Sequence, residues 1–340
     1  MALLSLHCPN CQSKNCKTHT SYKVLSGEER NIYHCQACNN YFSQTKKTAL
    51  EGLRKSLSFI AQVLEAVNDG QGINAACRTF KTTKKSINRW SERLASLKET
   101  LLLYALCHQF LQLIIEGDEL YTKVSKNKPP SESEGWTIVL MDRASRFIWE
   151  LSCGEKETAL FENAMATLVQ VIEQTDHLSL LTDGERRYSN LLFEICQEVI
   201  RTGQVGRPKT TLKEGVKVRV KNKGSQTHKK GPKRPKYQSP KPEHPETKTP
   251  LENEQIHANH VEAFNSALRR RLAAYRRKTN TYAKDKLSLQ TRLNAYWVLH
   301  NFVRPHFSIK QVPAIALGCL EKALSWVELF QVQLVSPVPI

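Results

Sequence analysis

Two pairs of cysteines near the N-terminus carry the clearest metal-binding pattern in this sequence. The turns Cys8–Cys11 and Cys35–Cys38 are both C-x-x-C, and 23 residues separate them. Each turn can present two thiolates, and two turns complete the tetrahedral shell of a structural Zn²⁺. Redox dithiols are the alternative, and rival ligands lie nearby at Cys16, His7, His19 and His34. Because four thiolates already close a tetrahedral site, we predict non-catalytic zinc held by Cys8, Cys11, Cys35 and Cys38.

Acidic residues beside two apolar runs indicate a second metal site of a different kind. Asp118 interrupts the run 113–120, and Asp183 follows the run 178–182. A carboxylate inside an apolar strand is costly without a partner, so two neighbouring acids favour a divalent cation between them. Mg²⁺ and Mn²⁺ accept carboxylate and phosphate oxygens together. Taken singly, Asp118 is better explained as a bulge residue and Asp183 as a helix N-cap, and it is the order of the predicted strands that favours a metal site.

A third acid is expected from a helix packed on the same sheet. The segment Ala258–Lys278 has an apolar stripe at helical spacing, formed by Val261, Phe264, Leu268 and Leu272. Glu262, Asn265 and Arg269 share a second face of that helix. We therefore predict that Glu262 completes the metal site and that Asn265 and Arg269 face DNA phosphates. The alternative is an exposed face with an unrelated glutamate, which the many neighbouring arginines make less attractive.

The elements that would position these acids alternate between strand and helix. Apolar runs at 113–120, 137–141, 146–151 and 178–182 predict strands, and the second and third form a hairpin around the turn 142–145. Residues 157–174 have the spacing of an amphipathic helix. The order strand, strand, strand, helix, strand predicts a mixed-sheet α/β core with one acid inside the first strand and another after the fourth.

A helix-turn-helix precedes this core. Helices are predicted at 60–67, 73–80 and 84–94, and the third buries an apolar side formed by Ile87, Trp90 and Leu94. Its other side carries donors suited to phosphates and base edges, namely Lys84, Lys85, Asn88 and Arg89. A generic three-helix cap is the alternative. The basic exposed face favours a DNA-recognition helix.

The charge balance also indicates a nucleic-acid partner. The 340 residues contain 50 Lys and Arg against 32 Asp and Glu, a formal net charge of +18. The stretch Arg201–Lys248 has 15 basic and 3 acidic residues and so accounts for +12. Its many prolines exclude a single continuous helix or strand, and its composition is typical of a mobile linker or of an arm that follows DNA. Within it, Gly215–Val220 alternates Val with Lys and Arg, which predicts an edge strand.

These patterns predict a multidomain α/β protein that acts inside the cell. The predicted domains are a zinc ribbon at 1–48, a helix-turn-helix at 50–100, a catalytic core at 110–310 with a basic insertion at 201–250, and a C-terminal helical segment at 311–340. Scattered single cysteines suit a reducing compartment. The start is too short and uncharged for a signal peptide, and the most apolar stretch, 101–115, is shorter than the roughly 20 residues of a membrane span.

The chain also resembles bacterial transposases of the insertion-sequence-one type, within the DDE group. The resemblance lies in the two cysteine pairs and in further motifs spread along the chain: Ile115-x-Gly-Asp118-Glu119, Leu181-Thr-Asp183-Gly184, Asn259-His-Val-Glu262-Ala-Phe-Asn265, Arg277-Lys-Thr279 and Asn301-Phe-Val-Arg-Pro-His306. It implies an RNase H-like catalytic core with Asp118, Asp183 and Glu262 as the DDE triad. It also implies binding of double-stranded DNA at terminal inverted repeats and target, a homo-oligomer on DNA, and a place at the nucleoid of the bacterial cytoplasm.

The predicted function is therefore a DNA transposase that uses Mg²⁺ or Mn²⁺, with a structural Zn²⁺ in its DNA-binding part. Water would attack first and free a 3′-hydroxyl at the element end, and that hydroxyl would then attack target DNA. One alternative is a zinc-ribbon and helix-turn-helix regulator without cutting activity. The other is an RNase H-like nuclease that cuts DNA but does not join ends.

Overall fold

A computed structural model of the chain describes residues 3–4, 6–125, 128–201, 203, 205–221, 237–238, 241–247, 255–276 and 280–335. The chain divides into two compact units. The first contains Met1–Cys107, Arg271–Ala273 and Thr291–Ile340, and the second contains His108–Arg270 and Ala274–Gln290. The cysteine pairs and the predicted helix-turn-helix thus belong to the first unit, and the acids of the predicted core belong to the second. The domain boundaries predicted above stay predictions.

The first unit begins with a small antiparallel sheet and four helices. The strands are β1 (Cys16–Lys23), β2 (Glu29–Cys35) and β3 (Tyr41–Ser43), in that order across the sheet. The helices are α1 (Leu57–Val67), α2 (Ile73–Thr79), α3 (Lys84–Ala95) and α4 (Leu97–Leu106). The Ser56 hydroxyl caps α1 by accepting from Phe59 N, and the Thr83 hydroxyl caps α3 by accepting from Ser86 N. These caps satisfy N–H groups that lack a partner within the helix.

The second unit is built on one mixed sheet. Its elements in chain order are β4 (Phe110–Tyr121), β5 (Trp136–Asp142), β6 (Ile148–Gly154), α5 (Thr158–Ile172), β7 (Thr175–Thr182), α6 (Arg186–Cys196), β8 (Gln197–Ile200), β9 (Lys209–Leu212), β10 (Val216–Lys221), β11 (Tyr237–Gln238) and α7 (Asn259–Arg271). The strand order is β11-β10-β7-β4-β5-β6, and β8 pairs separately with β9. β7 runs parallel to both β4 and β10, whereas β5 is antiparallel to β4 and β6.

The predicted strand in the basic stretch occupies a different place in the sheet. Residues 215–220 were expected to form an edge strand, but β10 pairs with β7 on one side and with β11 on the other. Val216 and Val218 are buried in the core. The side chain of Arg219 forms an ion pair with Glu243, so the charges that suggested an exposed edge are partly satisfied within the protein. Part of the predicted insertion therefore extends the sheet.

The remaining elements are helices near the C-terminus. They are α8 (Lys286–Phe302), α9 (Pro313–Ala316) and α10 (Trp326–Gln331). A helical segment was predicted at 311–340, and within it α9 ends before Gly318, whose φ of +86° leaves the helical region. α10 then begins at a capping box made by Ser325 and Glu328. Among the described residues, no helix combines the length and the apolar character needed to cross a bilayer.

The helix predicted for residues 258–278 is shorter in the structure. α7 ends at Arg271, and a 3₁₀ turn follows at Ala273–Tyr275. Tyr275 is buried, and its hydroxyl forms a hydrogen bond of 2.5 Å with the hydroxyl of Thr137 on β5. This turn holds the chain after α7 against the sheet. The motif residues 277–279 lie outside the described residues.

Candidate active site

Two parallel strands bring the predicted aspartates together. In the β4–β7 pairing, Gly117 lies opposite Thr182, and these are the residues immediately before Asp118 and Asp183. The β4–β7 pairing stops at this pair, although β4 continues beside β5 to Tyr121, so the two carboxylates lie side by side where β7 ends. Gly184 has a φ of +115°, which turns the chain away directly after Asp183. Ligand oxygens of Asp118, Asp183 and Glu119 all lie within 4.8 Å of one another.

Glu119 is the member of this cluster that sequence reasoning did not assign to the site. Successive residues of a strand face opposite sides of the sheet, so Asp118 and Glu119 leave β4 in opposite directions. The Glu119 side chain is only 10% exposed, and its Oε2 lies 3.9 Å from Lys156 Nζ. Burial, together with repulsion from Asp118 and Asp183, raises the pKa of Glu119 to about 7, against the opposing effects of Tyr188 and Lys156. Adjacency to Asp118 in the sequence was the only available signal.

Helix α7 approaches the cluster from the Asp118 side. Asn265 Nδ2 donates a hydrogen bond of 2.8 Å to Asp118 Oδ2, and the Asn265 side chain is buried. The sequence predicted that Asn265 faces DNA phosphates, but its amide instead orients a carboxylate of the site. Arg269, its predicted partner on that face, is half-buried. The difference arises because α7 packs with Asn265 on its buried side, next to Asp118 of β4.

Glu262, the predicted third acid, lies one helical turn before Asn265. Its side chain is exposed, and it is outside the three-carboxylate cluster formed by described residues. One turn of helix rises about 5.4 Å, so Glu262 starts from a backbone position next to the contact with Asp118. The structure therefore brings two of the three predicted acids together and leaves the third on the adjacent turn. The role of Glu262 stays a prediction.

A buried carboxylate on β4 fixes where α7 begins. Glu116 is fully buried, and its Oε2 accepts from the backbone N–H groups of His260 and Val261, both at 3.0 Å. Its Oε1 accepts from Arg143 Nε at 2.7 Å and contacts His260 Nδ1 at 2.8 Å. Burial opposes ionisation, but these donors outweigh it and lower the pKa of Glu116. Glu116 thus serves as an N-cap supplied by the strand that carries Asp118.

Arg143 secures the approach to α7 as well. Its guanidinium donates to the carbonyl oxygens of Gln255 at 2.5 Å and His257 at 2.6 Å. Glu116, His257 and His260 lie close enough to resemble a metal site. However, both oxygens of Glu116 already accept hydrogen bonds, and the charge of Arg143 compensates the carboxylate. We therefore read this cluster as an anchor of α7.

The three-carboxylate cluster suits a hard divalent cation. Its donors are oxygens only, which favours Mg²⁺ or Mn²⁺ over softer metals. Two nearby oxygens are buried without a hydrogen-bond donor among the described residues, Glu119 Oε1 and Asn265 Oδ1. Such oxygens are costly unless a partner arrives, and a cation or its bound water would supply one. The residues present therefore fit the expected ion.

The four predicted zinc ligands also come together. Cys8 Sγ lies 3.5 Å from Cys38 Sγ, and Cys11 Sγ lies 3.6 Å from Cys35 Sγ. Four sulfurs about 2.3 Å from one tetrahedral Zn²⁺ would be about 3.8 Å apart, close to these separations. Burial opposes ionisation of Cys35, but N–H groups of Cys38 and Ala37 outweigh it and lower the pKa of its thiol to about 6. The donor set fits a structural zinc ion.

The predicted recognition helix has the expected two sides. Ile87, Trp90 and Leu94 of α3 are buried. The side chains predicted to meet DNA are all exposed, namely Lys84, Lys85, Asn88 and Arg89. Phe59 of α1 packs edge-on against Trp90 with ring centroids 5.9 Å apart, which ties α3 to the first helix. Contact between DNA and the four exposed side chains of α3 stays a prediction.

Comparisons with known proteins give weak likenesses only. No protein-family model matches the chain, and no curated protein matches it. Among solved structures, a Mos1 transposase paired-end complex with the left transposon end is 14% identical, covering 42% of this chain and 56% of that chain at a TM-score of 0.17. The Mos1 strand transfer complex is 9% identical, covering 40% and 53% at 0.15. A pre-cleavage Mos1 transpososome is 12% identical, covering 40% and 54% at 0.15. The chain thus spans about half of each matched chain, and at these TM-scores the likeness carries no argument.

Proposed function

We propose that this chain is a DNA transposase of the DDE group, and more narrowly of the insertion-sequence-one type. The observation that carries the proposal is the meeting of Asp118 and Asp183 at one edge of a mixed sheet, where Asn265 of α7 holds Asp118. The two aspartates are far apart in the sequence. An oxygen-only site open at a sheet edge suits phosphodiester chemistry better than a structural ion would.

The order of elements supports an RNase H-like core. Three antiparallel strands, β4, β5 and β6, are followed by α5, the parallel strand β7, α6 and then β10. The first strand lies at the centre with β7 beside it, so the end of β7 comes next to the acid on β4. Short motifs alone would not distinguish this arrangement from other α/β sheets. Strand order and acid placement together favour the RNase H-like reading.

In this proposal the chain's own residues have distinct tasks. Asp118 and Asp183 hold divalent cations, and Glu262 completes the triad from α7. Asn265 keeps the Asp118 carboxylate oriented through its 2.8 Å hydrogen bond. Bound cations would activate the attacking oxygen and stabilise the leaving oxygen of the phosphodiester. Lys156, 3.9 Å from Glu119, places a positive charge beside the cluster where a DNA phosphate could approach.

DNA recognition is assigned to the other compact unit. The exposed face of α3 would enter the major groove with Lys84, Lys85, Asn88 and Arg89. The zinc ribbon supports that region without taking part in catalysis. The net charge of +18 is consistent with a long contact along a polyanion. We further propose terminal inverted repeats and target DNA as partners, assembly as a homo-oligomer on DNA, and action at the bacterial nucleoid.

A one-pot assay tests the proposal. The purified chain is incubated with labelled DNA from the ends of the element that contains its gene, a target plasmid, and Mg²⁺ or Mn²⁺. A transposase produces metal-dependent nicks at the ends and then joined products. Binding without metal-dependent cutting would identify a regulator instead. Cutting without joining, governed by DNA structure, would identify a different RNase H-like nuclease.

A further inference from the structure

Glu119 is a buried carboxylate whose charge only Tyr188 and Lys156 favour among the described residues. Its side chain is 10% exposed, and Oε1 is buried without a hydrogen-bond donor among the described residues. Lys156 Nζ is 3.9 Å from the other oxygen, at the outer limit of an ion pair. That ammonium also lies 4.2 Å from the centre of the Trp136 ring, so its position is shared with a cation–π contact. Burial of a carboxylate with this little compensation is costly, and a further positive partner would offset that cost.

The position of Glu119 points to what that partner is. Gly117 and Glu119 face the side of the sheet where Tyr188 lies, whereas Asp118 faces Asn265. Even so, oxygens of Glu119, Asp118 and Asp183 lie within 4.8 Å of one another. Three carboxylates this close repel strongly, and the repulsion turns to attraction once a divalent cation lies between them.

Asn265 supplies an independent second observation. Its residue is 3% exposed, and its Nδ2 is committed to Asp118 Oδ2. The carbonyl oxygen of the same amide therefore lies beside the cluster, and no donor among the described residues reaches it. Turning the amide over would place this oxygen against a carboxylate, so the assignment follows from charge. A buried acceptor on each side of the sheet edge thus borders the same space.

We propose that Glu119 is a direct ligand of the divalent-cation site, reaching it from the side of the sheet opposite Asn265. The inference rests on the proposed function, since it adds a ligand to that same centre. Asp118 and Glu119 would then grip the ion from both faces of β4, with Asp183 between them at the end of β7. Mg²⁺ and Mn²⁺ are the ions whose oxygen preference matches.

Titration with Mn²⁺ tests this ligand directly. Isothermal titration calorimetry is carried out on the zinc-loaded full chain without DNA, comparing the wild type with Glu119→Gln, Asp118→Asn and the matched control Glu162→Gln. Glu162 is an exposed carboxylate on α5 in the same unit. We expect Glu119→Gln to weaken Mn²⁺ binding about tenfold or more, because even indirect partners of a metal ligand cost that much. Glu162→Gln should bind Mn²⁺ as the wild type does.

Thermal unfolding of the zinc-loaded chain, in buffer without Mg²⁺ or Mn²⁺, gives the second measurement. Without an ion at the acidic cluster, Glu119→Gln removes an acidic group from a repelling set, so its unfolding temperature should equal or exceed that of the wild type. A lower unfolding temperature would mean that the charge is paired within the protein, and it would overturn the inference. If Asp118→Asn weakened Mn²⁺ binding and Glu119→Gln did not, the inference about Glu119 would also be overturned. The proposed metal centre would remain supported by that result. A wild type that binds no Mn²⁺ would overturn the centre and the inference together.

Discussion

The two candidate metal centres of this protein are built in opposite ways. The four cysteines come from two tight turns, one before β1 and one between β2 and β3, and their sulfurs form a closed set of four donors. The acidic cluster combines two residues of β4 and the residue after β7 with an amide from α7, and its donors are oxygens. A closed thiolate set stabilises a small fold that has little apolar core. An open oxygen set leaves room for substrate.

The geometry of the ligand atoms comes from different parts of the fold in the two centres. The cysteine centre needs little beyond its own hairpin, since Cys16 pairs with Cys35 across β1 and β2 and Phe42 packs beneath. The acidic centre depends on a large sheet that is already folded and on the docking of α7. Removing metal should therefore unfold the first region and leave the second region folded but inactive.

The largest expected effect follows from removing zinc. Cys35→Ser, or a strong chelator, should unfold β1 to β3, because structural zinc contributes on the order of 10 kcal/mol to such small folds. Hydrogen exchange of the backbone amides in β1, β2 and β3 is the measurement, with amides of β4 and β7 as the internal control. If the amides of β2 stayed protected without zinc, the folding of the first region would not depend on the ion, and the contrast between the two centres would be wrong.

The next effect is on chemistry rather than on folding. Asp118→Asn, Asp183→Asn or Glu262→Gln should lower cleavage of element-end DNA about 10³-fold, since losing about 4 kcal/mol of charge stabilisation has that consequence. Binding of the ends should change little, which a gel-shift titration with the same DNA can check. Normal cutting by purified Glu262→Gln would remove Glu262 from the triad while leaving the two aspartates in place.

A smaller effect is expected at the anchor of α7. Glu116→Ala leaves Arg143 and two helix N–H groups without their buried acceptor, and the free energy of unfolding should fall by about 3 kcal/mol. Glu116→Gln is the graded comparison, because it keeps one acceptor oxygen but places an NH₂ donor against the N–H groups that the other oxygen accepts from. Urea unfolding followed by circular dichroism measures both variants. Equal stability of Glu116→Ala and the wild type would show that α7 holds its position by apolar packing alone.

The smallest effect concerns the exposed face of α3. Arg89→Ala should weaken specific DNA binding by about 1–3 kcal/mol without changing the folding of α3, because the side chain is exposed. Fluorescence anisotropy at several salt concentrations separates a base contact from a phosphate contact, since loss of a phosphate contact lowers the salt slope by about one. The exposed Glu92 on the same helix offers a control as Glu92→Gln. Unchanged affinity and slope for Arg89→Ala would exclude it from the interface.

Local patterns in the sequence carried part of this structure correctly. The C-x-x-C turns predicted the cysteine cluster, and helical spacing predicted the buried side of α3 at Ile87, Trp90 and Leu94. The apolar runs that contain Asp118 and precede Asp183 predicted the paired strands β4 and β7. Each of these features depends on residues within one turn, one helix face or one strand period, so the sequence suffices for them.

Other features depend on contacts between segments that are distant in the sequence, so they could be seen only in the folded structure. Strand alternation separates Glu119 from Asp118, yet oxygens of both residues lie within 4.8 Å of Asp183, which follows β7. Asn265 turned inward because α7 docks with its N-terminus on Glu116. β10 is part of the sheet despite its lysine and arginine residues, because its valines pack in the core and Arg219 forms an ion pair with Glu243. Side-chain periodicity specifies a face, whereas the register between strands and the docking of a helix specify what that face meets.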